Sequence, residues 1–455
     1  MDKQHIIMKI DEITQLNRDN IIRVAKHIWD NPETGYREVK TSRFLQQEFE
    51  KLGYDVVEMV DIPGFYADLD TGREGPSLAI LAELDSIICA GHPAKDQQTN
   101  AVHACGHHTQ CGYLVGVAAI LKNVDILEEL CGRIRFIAVP AEELIELAFR
   151  QTLREKGTIK YYGGKVEFLY RGVFDSIDAA MMVHSGNNIE GDKALEIYSG
   201  NNGCVTKTVT YTGKAAHAAG GPDKAINALY AATLGMQAIN SIRETFVETN
   251  MTRVHPIITS GGVAVNVIPE TVTMETYVRG SSPDAIVYEN TKVNRALAGA
   301  AVAMGAKVHI EDTPGYMPLI NNTELNNLAA ETASDILGSV NILVNDKWSA
   351  GSTDMGDLSC VLPVIQPGGG GGEGIGHGEN YNVKNYDTAC ISSARFLSFM
   401  TYRLLSNNGA ELKQIKKEFT PFCSSYEEFF KFIDKLFLCE DLVEYDSDTA
   451  TVKWS

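Results

Sequence analysis

Three short apolar runs in this chain each end in residues that bind protons or metals. "SLAILAELD" (Ser77 to Asp85) closes on carboxylates, "RIRFIAVPAEE" (Arg133 to Glu143) on another pair, and "DAAMMVHS" (Asp178 to Ser185) on a histidine. Continuous apolar runs of this length, with helical patterns between them, predict buried strands of an α/β fold with a mostly parallel sheet. In open α/β sheets, functional side chains gather beyond the carboxyl ends of the strands. One pattern therefore constrains both the fold class and the place where chemistry would sit.

Around these runs the chain divides. From Ile6 to Leu52 the pattern is helical, broken at "WDNPETGY", with Thr41 expected as an N-cap and Gly53 as the stop. From about Ser199 to Asp312 the order reads β-α-β-β-α-β, a ferredoxin-like unit. A glycine-rich stretch, "QPGGGGGEGIGHGENYNV", and a helix near Ser392 to Leu405 follow. The tail carries an amphipathic "SYEEFFKFIDKLF" and a strand-like "TATVKWS". The expected domains are 1–198 and 313–406 as two parts of one α/β catalytic domain, an inserted ferredoxin-like α+β lid or dimerisation domain at 199–312, and a C-terminal extension at 407–455.

Composition narrows the classes. The formal charge of −19 over 455 residues argues against nucleic acid, which needs clustered Lys and Arg. Nine cysteines without a repeating spacing suit a reduced, cytoplasmic setting better than a disulfide framework. "MDKQHIIMKIDEI" predicts no secretory leader, and no apolar run reaches the ~18 residues of a membrane span.

The densest set of soft ligands is "NAVHACGHHTQCG" (Asn100 to Gly112). Cys105 and His107 stand just before a helix, where the helix dipole favours a thiolate. A thiolate is either a nucleophile or a metal ligand, and a Cys-x-His pair alone does not decide. The strand ends add Glu142, Glu143 and His184, and the glycine-rich loop adds His377. One thiolate, three imidazoles and a carboxylate exceed a single tetrahedral zinc site. They suit two divalent metals sharing a bridging water, with Glu142 left as general base.

With these residues in view, the chain resembles the aminoacylase and carboxypeptidase G-type superfamily of dinuclear metallohydrolases, whose catalytic sheet is phosphorylase/hydrolase-like. Within it the subgroup of auxin-conjugate hydrolases, hippurate hydrolases and aminobenzoyl-glutamate or Xaa-Arg dipeptidase-like proteins fits best. The resemblance runs in order through "NPETGYREVKTSRFLQQEFEKLGYDV", "AELDSI", "HACGHH", "PAEE", "GVFDSIDAAMMVH", "GKAAHAAGGPDKAINAL", "GGVAVNVIPETVTMETYVRG" and "STDMGDLSCVLPVIQP" to His377, about nine-tenths of the chain. It implies Cys105, His107, Glu143, His184 and His377 as ligands of two divalent metals, zinc by donor softness with manganese as the alternative. It implies Glu142 as the base and Asp85 as a carboxylate orienting a ligand histidine. His217 would stabilise the oxyanion from a partner subunit of a homodimer, and Asn266 and Arg279 would contact substrate. The implied activity is amide hydrolysis of an N-acyl amino acid or dipeptide, with no nucleic acid or membrane as partner.

Three features depart from the family pattern. His108 stands where Asp or Asn is usual, with an altered charge, a changed metal preference or a third ion as its expected consequences. "LIELAFRQTLREKGTIKYYGGK" inserts a helical stretch after the glutamate pair, expected to reshape substrate access. The glycine run would serve either as bare amides for a substrate group or as a flexible loop. It lacks the G-x-G-x-x-G pattern after a strand, which disfavours a nucleotide. The rival readings are a thiol enzyme built on Cys105 with His107 or His108 as base, and a non-catalytic metal-binding homologue. EDTA separates the first rival, since it would spare a thiol enzyme.

Overall fold

A computed structural model describes residues 2–447 and 449–453. The chain forms two units. The first comprises 1–200, 320–348 and 357–426. The second comprises 201–319, 349–356 and 427–455.

The first unit is built on a six-stranded sheet in the order Val56–Glu58, Phe65–Asp70, Arg133–Val139, Ser77–Glu83, Ala179–Met181, Val364–Ile365. The first two pairings are antiparallel and the other three parallel. Ser77–Glu83 lies at the centre, buried from its second residue onward, which is why its sequence does not alternate. Phe65–Asp70, nearer the edge, alternates buried and half-buried positions. All but one residue of the helix His107–Leu121 are buried, and Lys3–Trp29 and Ser393–Leu405 pack against it.

Helix ends follow the sequence with one correction. Gly53, at φ +75, follows the helix Val39–Lys51 as expected. Thr41 is not the N-cap: the helix already starts at Val39, and the Thr41 hydroxyl donates to Glu33 Oε2 at 3.0 Å.

The second unit is an antiparallel sheet in the order Arg253–Val254, Thr271–Gly280, Gly203–Thr212, Lys307–Pro314, Leu438–Asp441, with Ile257–Ser260 also pairing Thr271–Gly280. The helices Ala228–Ile242 and Pro283–Met304 pack together on it. Leaving aside the strand from the tail, this is the ferredoxin-like order. The tail divides between the units. Leu412 and Ile415 of Ala410–Glu418 join the first unit's core, whereas Leu438–Asp441 extends the second unit's sheet.

Candidate metal centre

The strands Arg133–Val139, Ser77–Glu83 and Ala179–Met181 run parallel, so their carboxyl ends share one edge. Glu142 and Glu143 leave the first through a turn at Ala141, whose φ is +56 and whose N–H donates to Glu38 Oε1 at 2.8 Å. Asp85 follows the second, and His184 the third. His184 forms a bridge to Gly368. Cys105 and His107 flank Gly106, which caps the helix His107–Leu121 at φ +88. A Cβ on Gly106 would come within 2.3 Å of Ser185 O, so glycine is what lets the Cys105 turn approach the His184 strand end. His377, at φ +65, donates its N–H to Ala104 O at 2.8 Å, which ties its loop to the same turn.

All five expected ligands converge. Cys105 Sγ is 3.6 Å from His184 Nε2, and Glu143 Oε1 is 3.0 Å from His377 Nε2. The donor atoms of Cys105, His107 and His184 lie within 4.8 Å of one another, and so do those of Cys105, Glu143 and His377. The thiol is common to both sets. Glu142 stands beside them, its Oε2 3.8 Å from His107 Nε2.

The electrostatics suit a cation. Burial and the Glu143 carboxylate oppose ionisation of Cys105, but His107 and His184 outweigh them and hold the thiol at about 6. Burial also opposes ionisation of Glu143, yet the His377 hydrogen bond and charge hold it at about 2. His107 Nε2, turned toward the cluster, is buried without an aligned hydrogen bond. Such orphaned atoms are rare and mark places where a missing partner sits. Thiolate, imidazole and carboxylate are the donors that zinc-type ions take. The residues present therefore fit a pair of divalent cations.

His107 is held from behind. Its Nδ1 is 2.9 Å from Asp85 O and 3.1 Å from Asp85 Oδ1, which leaves Nε2 facing the cluster. Asp85 Oδ2 also accepts the Glu143 N–H at 2.8 Å, so one carboxylate fixes two of the five residues.

Sequence reasoning missed two further supports. Glu83 and Lys165 are both fully buried and paired at 2.5 Å. The other Glu83 oxygen accepts from Gln110 Nε2 at 2.7 Å and lies 3.2 Å from His107 Nε2. The carboxylate at the strand end was visible, but a lysine 82 positions later was not an evident partner. Arg150, fully buried, comes from the inserted helix Leu147–Glu155. It donates to Glu143 O, and to Tyr162 O at 2.7 Å. The insertion thus braces the turn that carries the two glutamates.

Two departures read differently in three dimensions. His108 is fully buried, 4.8 Å from the Trp29 ring and 5.5 Å from the His103 ring, with Nε2 3.5 Å from Tyr386 Oη. Burial holds it well below the ordinary histidine range, hence neutral. Among the described residues it joins no group of metal-binding side chains, which removes the third-ion expectation. The glycine run is neither a loose loop nor a set of free amides. Gly369, Gly370 and Gly372 donate to His184 O, Ala194 O and Asn187 O at 2.9–3.0 Å. A Cβ on Gly370 or Gly372 would fall within 2.0 Å of a neighbouring carbonyl oxygen. Close main-chain packing explains the composition. Cys111, the second cysteine of the Asn100 to Gly112 segment, is buried and donates to Glu83 O at 3.2 Å.

In the second unit, His217 and Asn266 lie on paired loops, with Ala218 N donating to Asn266 O at 3.0 Å. His217 is exposed, and its Nδ1 accepts from Ala219 N at 3.1 Å and Gly220 N at 2.9 Å. Arg279 lies on Thr271–Gly280, where its guanidinium donates to Ser352 Oγ at 2.6 Å.

Parallel strands that deliver carboxylates and an imidazole to one edge, beside a helix start that carries a thiol and a second imidazole, in a chain with a ferredoxin-like second unit, define a metallohydrolase. The chain belongs to peptidase family M20/M25/M40, whose pattern matches residues 64–398, and with it to the hydrolases of carbon–nitrogen bonds. It is 27% identical to the Xaa-Arg dipeptidase of Mus musculus over 448 residues, covering 94% of this chain and 93% of that protein. The relationship therefore reaches into the tail, beyond the nine-tenths expected. It is 24% identical to the hippurate hydrolase of Campylobacter jejuni, covering 73% and 83%. Among solved structures, a dinuclear metal binding peptidase of the M20 family from Bacillus subtilis shares the fold at a TM-score of 0.66 and 20% identity, covering 86% of this chain and 99% of that one. Among the described residues no helix is long and apolar enough to cross a membrane.

Proposed function

We propose that this chain hydrolyses the amide bond of an N-acyl amino acid or a dipeptide, with two divalent cations held by Cys105, His107, Glu143, His184 and His377. The observation that carries the reading is the pair of three-residue donor sets that share the Cys105 thiol, with Glu142 beside them. When bound, the cations would supply Lewis acidity toward water and the scissile carbonyl. The donor set favours zinc, with manganese as alternative.

Glu142 takes one proton from the attacking water as its oxygen adds to the carbonyl carbon. It then delivers that proton to the amine nitrogen as the C–N bond breaks. Asp85 keeps His107 in the tautomer that presents Nε2. His217, with Nδ1 occupied by two amides, carries its proton on Nε2 and donates it as a hydrogen bond to the developing oxyanion from a second copy in a homodimer. Asn266 and Arg279 contact the substrate, with Arg279 suited to a terminal carboxylate. The names of the relatives, a dipeptidase and a hippurate hydrolase, support this substrate class.

The test is a hydrolysis screen of N-acyl amino acids and dipeptides with zinc or manganese, repeated with Glu142→Gln. The variant is expected to retain its metal and lose about 10²–10⁴ in kcat. Full activity in the variant, or activity that survives chelation, overturns the reading.

A further inference from the structure

The strand Lys307–Pro314 pairs antiparallel with Leu438–Asp441 from the tail. In that register His309 faces Asp441, and Glu311 faces Cys439. Residues two apart on a strand share a face, and directly opposed residues share it too. Four ligand-type side chains therefore form a square on one surface of the second unit.

We propose that His309, Glu311 and Cys439 bind a further divalent cation, of the zinc class. Their donor atoms lie within 4.8 Å of one another. His309 Nε2 is 3.7 Å from Cys439 Sγ and 3.6 Å from Glu311 Oε1. Bonds of about 2.3 Å to sulfur and 2.0–2.2 Å to nitrogen or oxygen give tetrahedral ligand-to-ligand edges of about 3.3–3.6 Å. The observed spacings thus need only a small contraction.

The fourth residue has a different role. Asp441 Oδ1 is 2.8 Å from His309 Nδ1. This is the carboxylate–histidine arrangement that fixes tautomer and ring orientation at metal sites, and the same one Asp85 makes with His107. An exposed His–Asp pair by itself would contribute little to stability. A solvated pair also gives no reason for Nε2 to face a thiol and a carboxylate together. Of the nine cysteines, Cys439 alone is exposed.

Three protein donors on an open surface leave a position for water. The ligands come from segments far apart in the chain, so the cation would clip the tail strand to the sheet. Metal that binds only this paired arrangement stabilises it by mass action.

The experiment uses the full chain, dialysed against zinc and measured for zinc per chain. Wild type is expected to hold one more zinc than His309→Ala/Cys439→Ser, with hydrolysis unchanged in the variant. That difference of one does not depend on how many ions the catalytic cluster holds. Asp441→Asn should weaken the extra site 10–100-fold. Zinc should also slow alkylation of Cys439, followed by peptide mapping, at least tenfold. Equal zinc contents, or alkylation of Cys439 indifferent to zinc, overturn the proposal. If the double variant fails to fold, the Asp441→Asn titration and the alkylation of wild type decide it.

Discussion

Lys165→Met tests how far the buried pair behind the metal cluster supports the first unit. Lys165 and Glu83 have no exposed side-chain surface, and their contact is 2.5 Å. The substitution keeps most of the side-chain volume but leaves a buried carboxylate with one oxygen unpaired. The other oxygen keeps Gln110 at 2.7 Å. Removing one partner of a buried ion pair costs about 3–5 kcal/mol. The first unit is large, so each kcal/mol moves the midpoint by only about 2 °C, which gives a drop of roughly 6–10 °C. Calorimetry on chelated protein reads this without interference from bound metal. Glu83→Gln/Lys165→Met removes both charges and keeps an amide for Gln110, so at least half of the loss should return. A single-variant shift below about 2 °C, or a double variant no better than the single, would refute the view that the pair is an energetic unit.

Three other outcomes follow from the geometry. Asp85→Ala removes the carboxylate that holds both His107 and the Glu143 N–H, and metal affinity by isothermal titration should fall 10–100-fold. Glu38 is fully buried; burial, then the nearby Asp85 charge, raises its carboxyl well above the usual range. A raised folded-state pKa gives stability that is complete below the unfolded value and lost as pH rises through the folded one. Glu38→Gln should therefore gain in melting temperature over wild type as pH rises, and a pH-independent difference would count against this. His108→Phe keeps an aromatic ring against Trp29, so metal content should stay unchanged by elemental analysis; loss of one ion per chain would return His108 to the metal site.

The parts of the fold legible in the sequence were those written in local pattern. Ser77–Glu83 announced itself because burial on both faces demands an unbroken apolar run. The ferredoxin-like order was legible because helices and strands there differ in period. The convergence of Cys105, Glu143 and His377 was inferable only from strand ends and family resemblance, and the fold brings their donor atoms together. Illegible features depended on contacts between distant segments. Lys165 reads as an ordinary surface lysine until the fold buries it against Glu83. The glycines before His377 read as bare amides or looseness, although Gly370, Gly371, Gly372 and Gly374 each lie against a carbonyl oxygen that a Cβ would strike. His108 read as a possible ligand because sequence places it beside one, whereas the helix turns it toward Trp29.

The strand Leu438–Asp441 has a practical consequence for fragment design. The family pattern ends at residue 398, which invites a recombinant boundary there. Such a fragment would strip one partner from Lys307–Pro314 and leave the amides and carbonyls on that edge unsatisfied. An open edge of that kind recruits strands from other molecules, the usual start of self-association. In the full chain the outermost strand instead carries Glu440 and Asp441, charges that discourage stacking of copies. The last thirty or so residues, remote from the catalytic motifs in sequence, thus help decide whether the protein stays dispersed at high concentration.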